Sequence, residues 1–142
     1  DPISLDEYRL SARSPNGGEE ERFMGGGLIA AYGFLLIAGQ TFDDPGSAVD
    51  VTLPLNRSFG DDVIVYLKRQ GSVVDVLCLC AMTPCTSPAF ADCGGVALPN
   101  PAPAGDEFSV ERVEPCKDRD LASDFAAGPA TPRGSADGID PP

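Results

Sequence analysis

The sequence predicts an all-β fold: a small disulfide-bridged antiparallel β-sandwich with extended polar arms at its N- and C-terminal ends. Three observations lead there. Sixteen Gly and 14 Pro in 142 residues are a density of turn formers that suits short strands. Hydrophobic residues still make up 42%, enough side chain for a core. Five cysteines, at 78, 80, 85, 93 and 116, supply the crosslinks that so small a core needs. The length suits one domain with extensions and is short for two.

Residues 1–24 read as a polar arm and linker, with six acids, three Arg and a Ser-Pro-Asn-Gly-Gly break at 14–18. Within it Ile3, Leu5, Tyr8 and Leu10 lie in a segment whose apolar parity changes between Leu5 and Tyr8. Such a strand is marginal alone and is a candidate for donation to a neighbouring subunit.

The domain proper is expected over 25–116. It opens on GGGLIAAYGFLLIAG (25–39), which is too short for a membrane-spanning helix. The run lacks an N-cap and is interrupted by Gly33, so a long buried strand bent at Gly33 is expected. After the turn signal at 42–46, Val49, Val51, Leu53 and Leu55 alternate with polar residues and Pro54, the pattern of a half-buried edge strand. Phe59 to Asp62 turn the chain into Val63–Leu67, and Gln70-Gly71-Ser72 turn it back into Val73–Cys80. These two runs predict a hairpin. Residues 80–105 form a Cys/Pro-rich loop, and Phe108, Val110 and Val113 provide one further strand before Cys116. Residues 117–142 read as an extended acidic, Pro/Gly-rich tail, with Leu121, Phe125 and Ile139 as its large apolar side chains.

Cys78 and Cys80 stand two apart on a predicted strand, so their Cβ vectors are nearly parallel and cannot close on each other. Each is expected to take a partner from Cys85, Cys93 and Cys116. Five cysteines allow fifteen patterns of two bridges. If the four clustered cysteines pair among themselves, Cys116 is the odd thiol. If Cys116 ties back to Cys78 or Cys80, then Cys85 or Cys93 is. The spacing C-x-C-x4-C-x7-C lacks the paired knuckles of zinc sites, so disulfides are the expected chemistry and no metal is assigned.

Several function classes are disfavoured by composition. A net charge of −12 repels phosphate backbones and anionic lipid headgroups, so neither nucleic acid nor a membrane surface is an expected partner. With no His in the chain, imidazole bases and His metal ligands are absent, and a cysteine nucleophile has no imidazole to take its proton. Gly25-x-Gly27-x-x-Ala30 matches a dinucleotide fingerprint in letters, yet acidic residues precede it where a strand is required. The pairs Asp43-Asp44 and Asp61-Asp62, and the acids at 118, 120 and 124, do not follow a calcium-loop spacing and read as solvated turn carboxylates. No catalytic residue and no cofactor is expected.

Cysteine usage points to an oxidising compartment, hence to a secreted or cell-surface protein, and Asn56-Arg57-Ser58 is a candidate glycosylation sequon. The expected function is a non-enzymatic structural subunit of an extracellular filament, sheath or surface assembly. Its arms, through Ile3, Leu5, Tyr8 and Leu10, would make the contacts between subunits in a homo-oligomer or filament. The alternative is a secreted monomeric adhesion or ligand-binding domain that presents the loop from Cys85 to Pro103.

Overall fold

A computed structural model describes residues 1–31, 33–40, 48–54, 60–94, 97–99, 108–114, 124–129 and 131. The all-β, disulfide-bridged class expected from sequence is what the chain adopts. Its strands are β1 (Ile3–Ser4), β2 (Tyr8–Arg13), β3 (Glu20–Phe23), β4 (Leu28–Ile29), β5 (Ile37–Gly39) and β6 (Val51–Leu53), then β7 (Val63–Arg69), β8 (Ser72–Cys80), β9 (Leu98–Pro99), β10 (Phe108–Arg112) and β11 (Phe125–Pro129). The main sheet has the order β3-β2-β7-β8-β9, and β1-β4, β5-β6 and β10-β11 are three further two-stranded pairs. Pairing is antiparallel except for the short β5-β6 and β8-β9 ladders, which are parallel.

The hairpin β7-β8 is the centre of the sheet, for reasons visible in its residues. Val63 to Leu67 is a continuous β-branched and apolar run, as a strand covered on both faces requires. Gln70 and Gly71 close the hairpin at φ +50° and +84°, the double positive φ of a type I′ turn whose twist matches its strands. Register pairs Ile64 with Cys78 and Tyr66 with Val76, so these four side chains share one face. There Ile64, Tyr66, Cys78, Cys80, Phe90 and Ala97 form the core cluster, with Phe90 and Ile64 completely buried. On the opposite face Val63 and Ala12 are buried, at 3% and 1% exposure.

The N-terminal segment forms strands with other parts of its own chain. Tyr8–Arg13 lies inside the sheet, with β7 along its whole length and β3 against Leu10, Ser11 and Ala12. Leu5 is buried, and Ile3 pairs with Ile29. The parity change that disfavours a lone strand is met by a break: Tyr8 N–H donates to the Leu5 carbonyl at 2.9 Å, turning the chain between β1 and β2. Gly25, at φ +80°, approaches the same turn so closely that a Cβ there would lie 2.3 Å from the Leu5 oxygen.

The apolar run 25–39 is likewise two short strands rather than one long one. Leu28 is 68% exposed, and a turn closed by Gly33 N–H on the Ala30 carbonyl at 2.8 Å separates β4 from β5. Three consecutive glycines at positive φ, Gly25 to Gly27, break the extended backbone before it begins. Part of the tail is also structured: β11 pairs with β10 over five residues, although its FAAGP composition gave no strand signal. Among the described residues, no helix is long and apolar enough to cross a membrane.

Candidate functional site

Two surfaces stand out, and both belong to β8. The first is a stapled knuckle that follows its C-terminal end. Asp62 sits immediately before β7, and because Val63 pairs with Leu79, hairpin register brings its carboxylate beside the chain leaving Cys80. It accepts from Ala81 N–H at 2.6 Å, from Met82 N–H at 2.9 Å and from the Thr83 hydroxyl. Burial pushes this carboxyl up, but the bonds from Thr83, Ala81 and Met82 together hold it below the usual carboxylate range. The turn so gripped carries Cys85 back to Cys80, with Cα atoms 5.3 Å apart.

Ser87 then caps a short 3-10 helix, Pro88–Cys93, by accepting from Ala89 N–H at 3.2 Å, with Pro88 at its first position. That helix delivers Phe90 onto the core and Cys93 to Cys78, at a Cα separation of 6.3 Å. Gly94 ends it in the left-handed conformation at φ +66°. Ala97 N–H returns to the Cys85 carbonyl at 2.8 Å, and β9 docks against Leu79 and Cys80.

A polar clamp holds the far end of the knuckle to the sheet. Arg13 donates through Nε to the Tyr66 hydroxyl at 2.7 Å and through Nη2 to Asp92 at 2.8 Å, while the Tyr66 hydroxyl donates to the same Asp92 carboxylate. The Tyr66 hydroxyl and the Arg13 guanidinium hold Asp92 below its ordinary value. Asp92 in turn raises Arg13, and burial with the Asp92 bond raises Tyr66. Each shift favours the ordinary charge state of its group, so the three groups hold one another in place. Beside it the buried Ser11 hydroxyl donates to Glu19 at 2.7 Å, and Lys68 bonds the same carboxylate while lying over the Tyr66 ring at 5.3 Å.

Before Asp92 the knuckle carries no charge of its own. From Ala81 to Ala91 the sequence AMTPCTSPAFA contains no ionisable side chain besides the bridged cysteine, on a chain of net charge −12. Met82 is 81% exposed at its tip.

The second surface is an edge. β9 pairs β8 only at Leu79 and Cys80, so among the described residues no strand lies against Ser72 to Leu77 on the side away from β7. Val73 and Val74 are 52% and 50% exposed there. A bulge sets them outward: Lys68 pairs with Val73 and Leu67 with Asp75, so Val74 has no counterpart on β7. The opposite edge of the sheet, β3, carries Glu20, Glu21 and Arg22.

Of the residues singled out from sequence, Cys78, Cys80, Cys85 and Cys93 come together in two bridges, with Cys78 and Cys80 each taking a partner from the loop as strand geometry requires. Cys116 is then the odd cysteine by count, and it lies outside the described residues, as does Asn56. Ile3, Leu5, Tyr8 and Leu10 are spread over β1, the turn after it and β2. Sequence reasoning missed Asp62, Arg13, Tyr66 and Asp92. Asp62 was legible only as a turn residue, because its three donors lie about twenty residues away.

Comparison with protein-family models, curated proteins and solved structures finds no match to this chain. The class defined here is therefore a structural one: an all-β domain whose central hairpin carries a doubly stapled knuckle and an open apolar edge. Its two disulfides belong to an oxidising environment.

Proposed function

We propose that this chain is a non-enzymatic structural subunit of a secreted or surface-exposed assembly, and that copies join through the open edge of β8 rather than through a donated N-terminal arm. The observation that carries this reading is the pair Val73 and Val74, half exposed on a strand edge with no partner among the described residues. Unpaired edges invite strand addition, and sheets ordinarily blunt them with charge. β3 follows that practice with Glu20, Glu21 and Arg22, while the β8 edge has Asp75 alone. Main-chain bonds to a second copy would satisfy the edge, and burial of the two valines would add the apolar contribution. Pairing of β8 with β8 closes a dimer, whereas pairing of β8 with another surface propagates into a filament. On this reading the disulfides form during export and Asn56 is an acceptor for an N-linked glycan.

Sedimentation velocity and electron microscopy of the full chain test the proposal. Wild type should self-associate, and Val74→Lys should shift it to monomer with both disulfides intact. A wild-type monomer at high concentration would overturn the assembly reading. It would favour instead a monomeric recognition domain, a second reading supported by the doubly bridged knuckle, whose residues 81–91 carry no charge and expose Met82.

A further inference from the structure

The Ser-Pro-Asn-Gly-Gly break at 14–18 joins β2 to β3, and Asn16 is the one Asn of the chain that Gly follows. Asn56 precedes Arg57 and Asn100 precedes Pro101. An Asn side chain is open to attack at Cγ by the backbone nitrogen of the next residue, which makes Asn thermolabile. A Cβ on that next residue crowds the approach and a proline nitrogen has no proton to give up, whereas glycine has neither handicap.

The structure sets the geometry around the pair. Gly17 N–H donates to the Ser14 carbonyl at 3.0 Å, closing a β-turn with Pro15 and Asn16 at its centre. Gln70 is the one described non-glycine residue at positive φ, so Asn16 lies at negative φ and the turn is type I, with Pro15 at its favoured position. Asn16 and Gly17 are both exposed, and no described residue hydrogen-bonds the Asn16 carboxamide. The Ser14 hydroxyl oxygen lies 2.3 Å from where a Cβ of residue 17 would stand, so the turn as folded has no room for a side chain after Asn16. One interaction opposes the attack: the Gly17 nitrogen must leave its bond to Ser14 before it can reach Cγ. A single exposed backbone bond in a turn opens readily, and its net strength corresponds to a slowing of about fivefold, which delays the attack without preventing it.

We propose that Asn16 is a site of spontaneous deamidation in the folded chain. The Gly17 nitrogen bonds to Asn16 Cγ while water relays the Gly17 N–H proton to Nδ2. The Cγ–Nδ2 bond breaks, ammonia leaves, and a five-membered succinimide joins residues 16 and 17. Water then opens the ring at either carbonyl. One opening leaves aspartate on an ordinary backbone, and the other routes the backbone through Cβ and Cγ. In sum one water is consumed and one ammonia released, with no oxidation or reduction. Either product adds a carboxylate close to Glu19, Glu20 and Glu21, and the second also lengthens the β2-β3 turn by one backbone atom. Glu19 receives Ser11 and Lys68, and β3 begins to pair with β2 directly after it, so the longer turn should loosen this edge of the sheet. The β8 edge takes no part, and the test does not depend on self-association.

The experiment holds the full chain, bridges intact, in mildly alkaline buffer at body temperature for several weeks, beside a reduced and denatured aliquot that reports the unprotected rate. Tryptic mapping by mass spectrometry follows the peptide of residues 14–22. In the folded sample it should gain the mass of an amide turned acid and separate into two isomers, at a rate within about fivefold of the denatured one. Asn16→Gln should abolish the change, because the longer side chain closes its ring far more slowly. Amide exchange at Glu20–Phe23 should be faster in the aged protein than in the fresh. Asn16 left intact in the folded chain while the denatured chain converts, conversion at Asn56 ahead of Asn16, or a mass gain that persists in Asn16→Gln would each overturn the proposal. Unchanged exchange in the converted protein would overturn the loosening of β3.

Discussion

Asp92 shows how much of this fold depends on single polar residues whose partners are distant in sequence. It closes the clamp with Arg13 and Tyr66, 79 and 26 positions away, and so ties the knuckle to β2 and β7. Asp92, Asp62 and Glu19 are all held below their ordinary values, Asp92 by Tyr66 and Arg13 and Glu19 by Lys68 and Ser11. Asp62 is held low by its knuckle donors against the opposing pull of burial. A depressed carboxyl binds fewer protons in the folded chain than in the unfolded one. Its contribution is therefore complete above the unfolded value, near ~4, and is lost as pH falls through the lower folded value. Urea midpoints should hold steady from about pH 5 upward and fall steeply below about pH 4. Asp92→Asn should cost about 1 kcal/mol at neutral pH, a figure kept small because its side chain is 46% exposed, and should flatten part of the acid slope. An acid limb parallel to that of wild type would show that the clamp does not contribute.

At the scale of elements, the hairpin β7-β8 organises everything near it, and its two bridges are unequal. Cys78–Cys93 spans 15 positions and Cys80–Cys85 only 5, which in the chain-entropy account is worth about 3 against about 2 kcal/mol. Cys78→Ser/Cys93→Ser should accordingly lower the Tm more than Cys80→Ser/Cys85→Ser, and also release the helix that seats Phe90. Calorimetry of the two double variants decides the order. Alkylation of the unreduced, denatured chain should label one cysteine, and peptide mapping should place the label at Cys116. A label at Cys85 or Cys93 would contradict the pairing. The hairpin itself was readable from Val63–Leu67, the Gln70-Gly71 turn and Val73–Cys80, because its contacts are local and its turn residues are specific. The partners of β2 and β10 were not, since both lie in the chain as weak, irregular patterns whose pairing is set by neighbours remote in sequence.

For the molecule as a whole, the dominant fact is charge. At −12 copies of the chain repel one another, so the association proposed for the β8 edge would have to overcome a long-range term that salt screens with a Debye length of ~10 Å at 0.1 M. The oligomeric fraction seen by sedimentation should therefore rise between low and moderate ionic strength, and fall again for Val74→Lys at every salt concentration. Association that weakens with salt would point to ion pairs rather than to strand addition as the contact.

Composition and pattern by themselves determined the all-β class, the central hairpin, the disulfide chemistry and the rule that Cys78 and Cys80 must look elsewhere for partners. Each of these follows from local geometry: turn preference, the two-residue period of a strand, and Cβ direction. Only the tertiary structure decided that residues 8–13 are an inner strand, that the glycine-rich run splits between β4 and β5, and which loop cysteine meets which strand cysteine. It alone placed Asp62 under the knuckle. Those outcomes depend on which distant segments compete successfully for the same edge or the same hydrogen bond, and a one-dimensional pattern carries no distance between them.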